Sequence, residues 1–128
     1  MVRLSLRDDL PFVSIALTHR GVTIVVPEVL VDTGAASTVV NADIASQVGI
    51  VAERTDRLRT LRGVGGHEYV FVRQVDRLAV GQVGVAAFDI EVGEMDYGFE
   101  ISAILGMDFL RRAGAIIDLR HLRLELVG

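Results

Sequence analysis

The sequence predicts a mostly β protein with two short helices. Three observations carry that expectation. Apolar residues recur with period two rather than 3.6 along most of the chain, glycines and other turn formers cut it into short segments, and only two stretches combine helix formers with a cap and a glycine stop.

Phe12-Val13-Ser14-Ile15-Ala16-Leu17 alternates loosely and ends at the turn signal Thr18-His19-Arg20-Gly21. Val22 to Val26 resumes as a strand, and Pro27 marks an edge or a bend, because it has no N–H to give to a ladder. Leu58 to Arg62 and Tyr69 to Val75 read as two arms of a hairpin around Gly63 to His67. Arg77 to Val80 and Val83 to Val92 form another pair around Gly81-Gln82, and Ile116 to Leu119 and Leu122 to Leu126 a last one around Arg120-His121. Asn41 is a good N-cap for a helix over Ala42 to Gln47, stopped by Gly49. Asp108 caps a second over Phe109 to Arg112, ended by Gly114. A faint repeat joins these parts. Leu30 to Gly34 leads to a helix, Gly49 and Ile50-Val51, and Ile104 to Gly106 leads to a helix, Gly114 and Ala115-Ile116-Ile117.

With 128 residues, 51% of them apolar, the chain reads as one folded domain over 1–128, large enough for its own core. A net charge of −4 argues against nucleic acid as the main partner. There is no cysteine, which excludes disulfides and thiolate metal sites, and the three histidines show no ligand spacing, so no metal or cofactor is expected. Charged residues interrupt Met1 to Leu10, and no stretch has the apolar length of a membrane span, so the sequence reads as soluble and cytoplasmic. Arg54, Arg57, Arg59, Arg62, Arg73 and Arg77 could form an anion or nucleic-acid face, but the alternation of Arg57 and Arg59 with Leu58 reads more simply as the solvated side of a strand. Asp89, Glu91, Glu94, Asp96 and Glu100 are expected on a solvated strand face and loop, or paired with arginines of another subunit. His19, His67 and His121 fall in predicted turns or loops.

One segment points to chemistry. Val29-Leu30-Val31 runs into Asp32-Thr33-Gly34-Ala35, which sets a carboxylate between a buried-strand signal and a glycine turn. Peptide hydrolysis needs an activated nucleophile and protonation of the carbonyl or leaving nitrogen. There is no cysteine, and no serine lies in a His/Asp arrangement that the sequence displays. A pair of carboxylates sharing one proton can activate water instead. The chain carries the motif once, so the second carboxylate would come from a second copy.

These residues, with Arg62-Gly63-Val64-Gly65-Gly66 and Ala103-Ile104-Leu105-Gly106-Met107-Asp108, resemble the retropepsins, the retroviral-type aspartic proteases. The three segments occur in family order over most of the chain, which is similar to a single-domain member of bacterial type. The resemblance implies a closed β-barrel of the acid-protease type with a flap hairpin, one lobe per chain, acting as a homodimeric endopeptidase on polypeptide. It implies Asp32 as the catalytic residue, Thr33 locking the two loops across the dimer, and Gly34 letting the backbone approach the carboxylates. Gly63, Val64, Gly65 and Gly66 would form the mobile flap over substrate, and Ile104, Leu105 and Gly106 would brace the loop. Ala35 stands where some members carry a hydroxyl that lowers the pKa of the dyad, so the expected optimum lies between mildly acidic and neutral pH. Ala36 and Met107 depart from an acidic residue and an arginine common in viral members, and Asp108 with Arg111 or Arg112 is expected to replace part of that polar network. Leu122 to Leu126 is a candidate for tying the dimer. Two other readings stay open: a non-catalytic module for dimerisation or peptide binding, and a protease active only with a partner or after self-processing.

Overall fold

The computed structural model describes residues 1–63, 66–95 and 101–127, with the backbone alone for residues 59–63 and 66–68. The chain order is β1 (Val2–Arg3), β2 (Ser5–Arg7), β3 (Leu10–His19), β4 (Val22–Val31), β5 (Val39–Asn41), α1 (Ala42–Ser46), β6 (Leu58–Gly63), β7 (Gly66–Val80), β8 (Val83–Gly93), β9 (Ala103–Leu105), α2 (Met107–Arg112), β10 (Ile116–Asp118) and β11 (Arg123–Glu125).

Eight strands form one sheet in the order β2-β3-β4-β9-β5-β8-β7-β6, and a further β3–β7 pairing, Ala16↔Ala79 to Thr18↔Arg77, brings it back on itself. The result is a ring rather than a regular barrel: between the long antiparallel ladders β3–β4 and β7–β8 lie the three-residue parallel pairings β4–β9 and β5–β8, joined by the two-residue antiparallel pairing β5–β9. A separate sheet, β1-β11-β10, joins the beginning of the chain to its end through Val2↔Leu124.

The period-two pattern forms these strands because alternate residues face opposite sides of a sheet. Leu17, Val26, Leu78, Val80, Ile90 and Leu105 bury one side in the main core, which Leu4 and Leu124 of the terminal segments and Phe109 of α2 complete. Phe88 and Phe109 meet there edge to face, with ring centroids 5.9 Å apart.

The turn expected over Thr18 to Gly21 is tighter than that: Thr18 and His19 still pair in β3, and Arg20-Gly21 alone turn, with Gly21 at φ +79° and its N–H donating to Asp76. Pro27 sits inside β4 at an irregularity, where the register shifts between Val13 and Ile15 and Glu28 adopts φ +59°; the missing N–H is accommodated at a bulge. Tyr69 to Val75 and Arg77 to Val80 are one continuous strand: the exposed Asp76 has no register partner, but Val75↔Phe88 and Arg77↔Ala86 on either side keep one register. The Asn41 side chain caps α1, accepting from Asp43 N at 2.9 Å. The second helix starts earlier than expected, at Met107 with Gly106 as its N-cap. The two halves of the repeat lie side by side as the parallel pair β4–β9, with Leu30↔Ile104 and Val31↔Leu105. The first half lacks its final strand: Ile50 is buried, but residues 50 and 51 are outside any strand. His19 is 6% exposed rather than solvated, and neither ring nitrogen has a partner among the described residues. Among the described residues no helix is long and apolar enough to cross a membrane.

Candidate active site

Asp32 follows β4 directly. Its N–H continues the parallel ladder by donating to Leu105 O at 3.0 Å, so the strand holds the residue before the chain turns away. The turn then closes on the side chain: Gly34 N donates to Asp32 Oδ1 at 2.9 Å, and Ala35 N to Asp32 O at 3.2 Å. A Cβ on Gly34 would stand 3.2 Å from that same Oδ1, so the absence of a side chain is what lets the amide come so near. The carboxylate is half-buried, with Thr33 and Gly34 exposed beside it.

The segment after the loop is held from far along the chain. Ala35 O accepts from Met107 N at 2.8 Å, and Ala36 O from Asp108 N at 3.1 Å. The Asp108 carboxylate accepts from Thr38 N at 3.1 Å, from Thr38 Oγ1 at 2.8 Å and from Phe109 N at 2.8 Å. Thr38 Oγ1, fully buried, accepts in turn from Gly106 N at 3.1 Å. Gly106 fits because it has no side chain: a Cβ there would meet Ser37 O at 2.5 Å, Ser37 C at 2.6 Å and Ala35 O at 3.0 Å. Leu105 and Gly106 thus lie against the 32–38 segment, and Ile104 sits in the cluster that Ala35 packs against. Thr38 is a member that sequence reasoning missed. A single threonine before a valine pair gives no sign that its partner lies 70 residues on. Asp108 turns to Thr38 instead of to an arginine, while the guanidinium of Arg112 lies over the Phe88 ring at 5.5 Å.

The face of the ring that carries Asp32 is apolar. Register pairs share a face, and the pairs Phe12↔Leu30, Leu30↔Ile104, Ile104↔Val39, Val39↔Glu91 and Glu91↔Val72 trace one row across six strands. Leu30 precedes Asp32 by two residues, so the row belongs to the carboxylate's side. Phe12, Val39, Val70, Met95, Ile101 and Ile104 form a second buried cluster there, with Leu10, Leu30 and Ala35 against it. Glu91, expected on a solvated face, is 3% exposed in this row, whereas Asp89 is exposed as expected.

The hairpin of β6 and β7 rises over residues 58–71 and narrows to Gly63↔Gly66. Val64 and Gly65 lie outside the described residues. Its foot is fixed by Arg73, which donates from Nη2 to Asp56 Oδ1 at 2.8 Å and to Val51 O at 3.1 Å. Those hydrogen bonds from Arg73 hold the Asp56 carboxyl below its ordinary value. At the β10–β11 turn the Asp118 carboxyl is likewise lowered, first by its hydrogen bond with the His121 side chain.

Beside Thr33 an open groove of about 280 Å³ is lined by Met107, Leu110, Arg111, Gly114, Ala115 and Ile117. It continues toward β10, whose Ile116 is 53% exposed.

A family model described as "gag-polyprotein putative aspartyl protease" matches residues 23–112. Among solved structures, a retropepsin-like aspartic protease from Rickettsia conorii superposes with a TM-score of 0.71 at 21% identity, over 98% of this chain and 97% of that one. The retroviral protease-like domain of Ddi1 from Leishmania major follows with a TM-score of 0.64 at 23% identity, over 93% of this chain and 89% of that one. No curated protein matches the chain in sequence.

Proposed function

Since the chain belongs to the gag-polyprotein aspartyl protease family and has the retropepsin-like fold, we propose that it is an aspartic endopeptidase whose active site is completed by a second copy of itself. The observation that carries the reading is the geometry of Asp32: a half-buried carboxylate fixed by the Gly34 amide at the end of a core strand and set on an apolar face. One carboxylate does half of the chemistry. Two copies of Asp32 brought together share one proton, because like charges at close range do not both ionise. The charged one takes a proton from water, and the neutral one donates to the peptide carbonyl, with no covalent intermediate. Thr33 locks the two loops across the dimer. The glycine-tipped hairpin, Gly63 to Gly66, closes over an extended substrate that adds strand-like hydrogen bonds, and the row from Phe12 to Val39 receives its apolar side chains. Ala35 offers no hydroxyl to the dyad, which places the optimum between mildly acidic and neutral pH; Ala35→Ser moves it toward acid.

The dimer contact in this proposal is not the segment the sequence favoured. β11 has Val2–Arg3 on one side and Ile116–Asp118 on the other. β10 keeps an open edge, next to the groove beside Thr33 that Arg111 and several apolar residues line, with Ile116 and Leu119 exposed.

The experiment is cleavage of a diverse peptide library across about pH 3 to 8, read by mass spectrometry, for the parent and Asp32→Asn. Cleavage by the parent alone supports the proposal. Peptide binding without cleavage in either protein supports a non-catalytic module, and equal cleavage by both overturns the assignment of Asp32.

A further inference from the structure

The geometry points to Glu91 as a specificity-determining residue, one that selects a basic side chain of the substrate. The inference rests on the endopeptidase reading and names the substrate class of that same site. In the row Phe12–Leu30–Ile104–Val39–Glu91–Val72, Glu91 is the one charged member. Its two neighbours in register, Val39 and Val72, are apolar, and Val39 and Ile104 belong to the buried cluster on the Asp32 side. Both carboxylate oxygens are shut off from solvent.

Placing a carboxylate in such surroundings costs solvation that an apolar residue would not lose. A surface built only to receive apolar side chains gains nothing from it. A surface that must tell arginine or lysine from leucine does, because an acidic group in a water-poor site rewards a cation and rejects another anion. Glu91 already makes an interaction of its own within the chain. Selection is therefore an exchange: the entering guanidinium or ammonium takes over the carboxylate from its resident contact. From Leu30 to Glu91 is three strand steps, about 14 Å at the usual strand spacing. An extended peptide advances about 3.4 Å per residue, so the selected side chain lies a few residues from the bond attacked and not at it.

The test compares the parent with Glu91→Gln, which keeps the shape and hydrogen-bonding capacity of the side chain and removes its charge. Peptides carry arginine, lysine, glutamine, norleucine or glutamate at each position around one cleavage bond. The expected result is a preference for arginine or lysine at one position, and a fall of about tenfold in kcat/KM for those peptides alone in Glu91→Gln. Peptides with norleucine there should be cut at parent rates. An unchanged profile, or an equal loss for all peptides, overturns the inference and leaves the endopeptidase reading standing. If Glu91→Gln does not fold, Glu91→Asp serves: it retains the basic preference at reduced strength. If the parent cuts nothing, the endopeptidase reading has failed separately. Calorimetric binding of the arginine and norleucine peptides to parent and Glu91→Gln then decides, since discrimination that vanishes with the charge supports the role of Glu91 and equal binding overturns it.

Discussion

Replacing Asp108 with alanine should cost more stability than its half-exposed position suggests. The carboxylate is the acceptor for three donors, Thr38 N, Thr38 Oγ1 and Phe109 N. Thr38 is fully buried, so its orphaned groups have no water to turn to. A hydrogen bond to a charged group contributes about 1.5–3 kcal/mol and a neutral one about 1 kcal/mol. Three lost together, with partial recovery at the helix start, amount to about 3–5 kcal/mol. Asp108→Asn keeps one oxygen acceptor and should lose about half of that. For a chain of this size the urea slope is about 2 kcal/mol/M, so the alanine variant should unfold about 2 M earlier and the asparagine variant about 1 M earlier. Both are measured at one fixed protein concentration, because assembly shifts apparent stability. Amide exchange gives the local readout: the N–H groups of Thr38 and Phe109 should speed up in Asp108→Ala. A midpoint shift below about 0.5 M with an unchanged slope would refute the reasoning, and the link between the Asp32 loop and α2 would then be weaker than its geometry implies.

Gly106→Ala forces a methyl against the Ser37 carbonyl, which is backbone and cannot rotate away; thermal unfolding should show a loss of about 2–3 kcal/mol, and peptide cleavage should fall with it. His19→Leu removes a buried imidazole whose nitrogens find no partner among the described residues, and calorimetry should show a gain of about 1 kcal/mol, or a few degrees. Asp56 has its folded pKa lowered from 3.8, chiefly by Arg73. Its contribution to stability is therefore complete above that value and is lost as pH falls through the folded one. Urea midpoints followed downward from about pH 5 should drop less steeply in Asp56→Asn than in the parent.

Local signals announced local structure. The hairpins, the Asn41 cap and the Gly21 turn were readable because period, cap and turn residues lie within a few positions of one another. The merged strand from Gly66 to Val80 was hidden by an outward Asp76, and the two-residue β1 is too short to carry a period at all. At the site, the Asp-Thr-Gly-Ala segment and the Ile104-Leu105-Gly106 brace were visible, but the reason they belong together was not. Thr38 meets Asp108 through the antiparallel pairing of the short strands β5 and β9, and no local pattern encodes which distant segment a strand will choose. Glu91 and His19 misled for a related reason: both read as polar surface positions in the sequence, and only tertiary packing buries them.

The distance along the chain between Asp32 and the segment that holds it sets an order of events during synthesis. The loop depends on Leu105, Gly106, Met107 and Asp108, some 70 residues downstream. Contacts so far apart in sequence form late, after the intervening loop closure has been met. A ribosome therefore releases most of the ring before the carboxylate can be set in place. Until α2 emerges, the nascent chain has its aspartate but not the frame that fixes it.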